Sequence, residues 1–109
     1  MSFEEKRRHP RKEVFIAALL AVDDQGYLSE IWDLSQSGAR LGRPKGWLHN
    51  APTGTIKIYF MLDQETVITV LAKVMRVTDQ HLGVEFSTGQ DSNIQGLLYE
   101  ARFIEESTR

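Results

Sequence analysis

The chain contains no cysteine. That absence removes disulfides, thiolate metal ligands and cysteine nucleophiles together, and it fits a reducing compartment. Histidine is scarce as well: His9, His49 and His81 stand singly, with none of the short spacings that assemble zinc sites. There is no long hydrophobic run. The longest, Val14 to Val22, falls far short of the roughly 20 residues that a helix needs to span a bilayer, and it lacks the small-residue cleavage site of a secretory signal. The expectation is a cytoplasmic protein without membrane insertion. Walker loops, dinucleotide-binding glycine patterns and nucleophile elbows are missing too. Ser35 and Ser37, the loop serines of interest, have no histidine base at a recognisable spacing. The expectation is a protein that is not an enzyme, with no catalytic residues, no metal and no cofactor.

What is present is positive charge concentrated in one place. Lys6-Arg7-Arg8-His9-Pro10-Arg11-Lys12 holds five of the 13 Lys and Arg in a chain of net charge −2. After Lys12, eight basic residues face 13 acidic ones, a body of about −5. A protein for long nucleic acids carries its positive charge over a broad face. A local cluster on an acidic body favours a small anionic ligand instead. Tyr27, Trp32, Tyr59 and Phe60 are not interleaved with basic residues, which further tells against a barrel for single-stranded nucleic acid. Arginine offers a planar fork that meets phosphate oxygens, or the O6/N7 edge of a guanine, with two bonds at once. Pro10 lacks a backbone N–H and pushes the preceding residue toward extended backbone, which disfavours a helix here. Residues 1–12 thus read as a flexible basic N-terminal arm. Residues 13–105 read as a single domain, since 109 residues suffice for one core and not two.

The body alternates like a β protein. Val14 to Val22 is apolar throughout, so its period cannot separate strand from helix, and its alanines and leucines favour helix on propensity. The turn composition Asp23-Asp24-Gln25-Gly26 and the strand-like Tyr27 to Asp33 decide for a hairpin of about 13–22 and 27–33. Asp33-Leu34-Ser35-Gln36-Ser37-Gly38 reads as a tight loop, with Gly38 supplying positive φ. Ala39-Arg40-Leu41 is a short third strand, and Gly42 to Pro52 an irregular loop anchored by Trp47. Ile56, Ile58, Phe60 and Leu62 then share one face of a strand over Thr55 to Leu62. Ile68, Val70, Ala72 and Val74 share a face within Thr66 to Val77, and Leu82, Val84 and Phe86 within His81 to Phe86. Short turns between such strands predict an antiparallel sheet curled into a small barrel. Ile94, Leu97, Leu98, Ala101 and Ile104 form a helical stripe, and Ser92 with Gln95 suggests a capping box, which predicts a helix over about 93–105.

Two motifs then come into register. Arg7 and Arg11 are spaced RxxxR just before the first strand, and Asp33, Ser35 and Gly38 form D-x-S-x-x-G at the end of the second. Gly83-Val84-Glu85-Phe86 adds a GV-x-F run on a late strand. On these three features, in this order, the chain resembles the PilZ domain family over essentially its whole length. The resemblance implies a mainly β fold, a six-stranded antiparallel barrel of split-barrel type with a C-terminal α-helix. It also implies a non-enzymatic receptor for cyclic di-GMP, a second messenger of bacterial signalling that regulates motility and biofilm formation. Arg7, Arg8, Arg11, Asp33, Ser35 and Gly38 would bind that ligand, with Lys6 and Arg76 as further candidates. For Arg8 the alternative is a solvated neighbour of the motif, and for Arg76 a plain surface arginine rather than one stacked on a base. Charge-assisted bonds from the arm would suit phosphate or guanine, Asp33 would accept guanine N–H groups, and the Ser35 hydroxyl would donate or accept. Gly38 would let the backbone turn closely beneath the ligand. The expected partner, besides the nucleotide, is an unidentified protein. The competing reading is a PilZ-like adaptor that acts through protein contacts without nucleotide, although such adaptors lack one or both motifs.

Overall fold

The computed structural model describes residues 14–47, 54–63 and 65–108. The arm with Lys6, Arg7, Arg8 and Arg11, and the segment with His49 and Asn50, lie outside the described residues. Six strands and one helix follow each other along the chain: β1 (Val14–Val22), β2 (Gln25–Leu34), β3 (Gly38–Gly42), β4 (Thr55–Asp63), β5 (Val67–Val77), β6 (His81–Phe86) and α1 (Asp91–Thr108). All strand pairs are antiparallel and the sheet closes on itself in the order β1-β2-β3-β6-β5-β4. Closure leaves no strand edge open for another chain to extend.

The apolar run of β1 is a strand because it divides its residues between two sides. Ala18, Leu20 and Val22 are buried, while Ala17, Leu19 and Ala21 are only partly covered. Ala18 lies opposite Phe60 and Leu20 opposite Ile58, so a small residue makes room for the largest fully buried side chain. Phe60 in turn meets Phe86 edge to face at 6.2 Å. The inward sets read from alternation in β4 and β6 are all buried, and so are Val70, Ala72 and Val74 of β5. Ile68 is half-covered and packs against this core from its rim.

Antiparallel strands place the two plugs at opposite ends of the barrel. Trp47 follows β3 and is 2% exposed, with its ring edge-on to Tyr27 at 5.0 Å. Arg43 holds the Trp47 segment in place: its guanidinium donates to Trp47 O at 2.9 Å and to Thr78 O at 3.1 Å. The helix follows β6 at the other end and buries Ile94 and Leu97. Its start differs from the expected capping box. The helix begins at Asp91, and the Gln90 carbonyl accepts the first helical bond, from Ile94 N at 3.0 Å. The Gln90 side-chain amide accepts from Leu71 N at 2.9 Å and donates to Leu71 O and Ser87 O. An amide that both donates and accepts imitates one more residue of β6 beside β5. That tertiary role fixes the helix start, and a local Ser–Gln box plays no part.

Two turns also differ from expectation. The first hairpin turns on Asp23 and Asp24 alone, both at positive φ (52° and 67°), and Gln25 and Gly26 already belong to β2. Two-residue hairpin loops favour this geometry because its twist matches that of the strands. Gly38, in contrast, is not among the positive-φ residues. It opens β3 opposite Glu85, and a Cβ placed on it would fall well inside 3.0 Å of Val84 O. Glycine is required here because two backbones approach, and the expectation of a turn conformation is corrected.

Two stability measurements follow. Replacing Asp23-Asp24 by Asn-Gly relieves the left-handed strain of non-glycine residues and raises unfolding stability by about 1 kcal/mol in chemical denaturation. Gly38→Ala forces β3 from β6 and lowers stability by about 2–3 kcal/mol in the same assay, with no ligand present.

Candidate functional site

The outer wall of the barrel at β3 and β6 carries an open groove of about 470 Å³. Asp33, Ser35 and Gly38, the D-x-S-x-x-G residues, all line it, together with Ser37, Arg40, Met75 and Glu85. β2 ends in Leu34 opposite Ala39, with Asp33 opposite Arg40, so the hairpin itself sets an acid beside a base. Arg40 donates Nε–H and NH2–H to the same oxygen, Asp33 Oδ2, at 3.0 and 2.7 Å. Both side chains are about half exposed, 52% and 54%, so the pair contributes about 0–1 kcal/mol to folding. Its effect is orientational. Asp33 Oδ1 accepts no bond among the described residues and remains available for another donor.

Ser35 shapes the loop. Its Oγ accepts from Gly38 N at 3.2 Å and from Ser37 N at 3.3 Å, and its own N–H donates to Gly38 O at 2.8 Å. The hydroxyl proton has two acceptors within reach, Gly38 O at 3.2 Å and Ser37 Oγ at 3.3 Å. The loop is then stitched to the far strand, since Phe86 N donates to Ser37 O at 2.8 Å. These bonds hold residues 35–37 as a rigid lip on the groove.

Arg76 sits in a row with Arg40. Arg40 pairs with Gly83 on β6, and Gly83 pairs with Arg76 on β5. The glycine leaves a side-chain gap between two exposed arginines. Met75 faces outward by alternation after the buried Val74, a bulge between Val74 and Arg76 turns Arg76 outward as well, and Met75 rather than Arg76 lines the groove. Glu85 is a second acid on this face, with Lys73 opposite it on β5. Arg40 was not expected as a site residue; it faces Asp33 because four residues, 35–38, separate the paired Leu34 and Ala39.

The barrel end that carries the lip is also where β1 begins. β1 runs antiparallel to β2, so its first residues lie toward the end of β2 that leads into the lip. Arg11 precedes Val14 by three residues in the sequence. Among the described residues no group of three His, Asp or Glu could hold a metal ion, and no helix is long and apolar enough to cross a membrane.

Comparison with known proteins bears on the fold and the family. No curated protein matches the sequence. A crystal structure of an uncharacterized Legionella protein is similar, with a TM-score of 0.50 and 20% identity over 84% of this chain and 90% of that one. That likeness is one of fold. The family model described as PilZ domain matches residues 5–101, from the basic segment through both motifs to the helix. The chain belongs to the PilZ domain family, whose members are in general receptors for cyclic di-GMP.

Proposed function

We propose that this protein is a non-enzymatic receptor for cyclic di-GMP, bound in the groove between the D-x-S-x-x-G lip and the basic arm. The observation that carries the reading is that Asp33, Ser35 and Gly38 line one open groove, and RxxxR precedes β1 in the sequence. Each residue then has a job set by its surroundings. Arg7 and Arg11, with Arg8 and Lys6 beside them, supply forks and charge for two phosphodiesters and a guanine edge. Asp33 holds Arg40 through Oδ2 and offers Oδ1 to guanine N–H donors. Ser35 keeps the lip in shape, and Ser37 presents a neighbouring hydroxyl. Arg40 and Arg76, flanking Gly83, give planar cations over which a base can stack. The arm closes over the ligand, and its ordering is met from binding energy. Its closed form presents an altered surface to a partner protein. The site is read as soluble and cytoplasmic, with no polymer of nucleic acid as ligand.

Titration calorimetry with cyclic di-GMP checks the reading. Binding is expected at micromolar concentrations or below, and Arg11→Ala weakens it at least tenfold, which about 1.4 kcal/mol suffices to do. The melting temperature of the empty protein is unchanged by that substitution. Ser35→Ala behaves differently: it frees two loop amides, so it lowers the melting temperature and the affinity together. No heat and no thermal shift with the nucleotide would leave the adaptor reading, a PilZ-like domain working through protein contacts alone.

A further inference from the structure

The wall opposite the groove, formed by β2, β1 and β4, is apolar on its outer side. Leu28, Leu19 and Tyr59 are register partners across these three strands. Leu28 is the most exposed large hydrophobic residue among those described, at 65%. One step along the strands in one direction, Glu30 stands beside Ala17. One step in the other direction, Lys57 stands beside Ala21, and Ala21 beside Gly26. Leu19, Ala21, Gly26, Lys57 and Tyr59 line a shallow hollow there, where small residues leave the surface low. Lys57 makes no ion pair or hydrogen bond among the described residues. Glu30 accepts one bond, from Trp32 Nε1 at 3.3 Å.

One surface thus carries a knob and a hollow, an acid and an unpaired base, disposed on either side of Leu19. Two copies laid face to face about a two-fold axis through Leu19 bring each Leu28 over the other copy's Ala21 and Gly26. The same rotation brings each Glu30 over the other copy's Lys57. An isologous interface requires such reciprocity, because every contact occurs twice with its partners exchanged. A partner of another kind would need an apolar face and charges of its own, but no match of the wall to itself. We propose that a second copy of this chain covers the wall, forming a two-fold homodimer in which the groove of each copy faces outward. A single wall of a small barrel is a modest interface, so the dimer is weak and in exchange with monomer.

Sedimentation velocity of the full chain, from about 1 µM to about 1 mM, reads the equilibrium directly, and the wild-type protein shifts from monomer to dimer across that range. Glu30→Lys and Lys57→Glu each set like charges together twice, and each raises the dimer dissociation constant at least tenfold. Mixing the two variants in equal amounts restores dimerisation to within about threefold of wild type, since each copy then supplies the charge that the other lacks. Leu28→Ser weakens the dimer independently of charge. All three positions are exposed, so unchanged circular dichroism separates interface effects from misfolding. A protein that stays monomeric throughout overturns the proposal and leaves the wall to a different partner. A dimer indifferent to these substitutions, or one not recovered in the mixture, overturns it equally.

Discussion

The barrel depends on how closely β3 can lie against β6. These strands are not consecutive, so no tight turn fixes them, and the ladder between them joins the first half of the chain to the second. At the start of that ladder the carbonyl of Val84 occupies the space that a side chain on residue 38 would take. Glycine alone permits the approach. Once the strands meet, Phe86 N reaches Ser37 O, the lip is pinned, and Asp33, Arg40, Met75 and Glu85 arrive around one groove. A residue that looks like part of a ligand motif therefore acts first on the architecture. The motif is conveniently read as a binding signature, but its glycine and its serine form the mould, and its aspartate is left with an open acceptor.

Much of this could be read from the sequence because strands with one buried side leave a period of two. β4 and β6 announce their inward residues in this way, and the structure buries every one. The family resemblance reached the same barrel from three short motifs. What sequence did not yield was set by partners distant along the chain. The start of α1 depends on Gln90 imitating a strand residue beside Leu71, nineteen positions away. A local cap at Ser92 was the natural reading, and tertiary bonding overrode it. The site shows the same division. Asp33, Ser35 and Gly38 were visible as a spacing, whereas Arg40 acquires meaning only through the register of β2 on β3. Arg76 is turned outward by a bulge that alternation alone would not reveal.

The two faces of the barrel differ in chemistry because they answer to different demands. Around β3 and β6 the outer side holds Arg40, Glu85 and Arg76, with Gly38 and Gly83 between them, a polar surface with room near the backbone. Around β1 and β4 it holds Leu19, Tyr59 and Met61, with alanines filling the gaps. Both faces hang on one shared core, so neither can shift without disturbing Phe60, Leu20 and their neighbours. Close-packed interiors resist such shifts.

The chain has two tryptophans, and their placement makes the protein its own optical instrument. Trp47 is enclosed in the core against Tyr27, where its emission is blue-shifted and follows the integrity of the fold. Trp32 is partly in water, stacked near His81 at 5.3 Å, and adjoins Asp33 in the sequence. Its emission lies further to the red and reports on the outer face of β2 beside Glu30 and His81. One spectrum therefore resolves into a core channel and a surface channel without any attached dye.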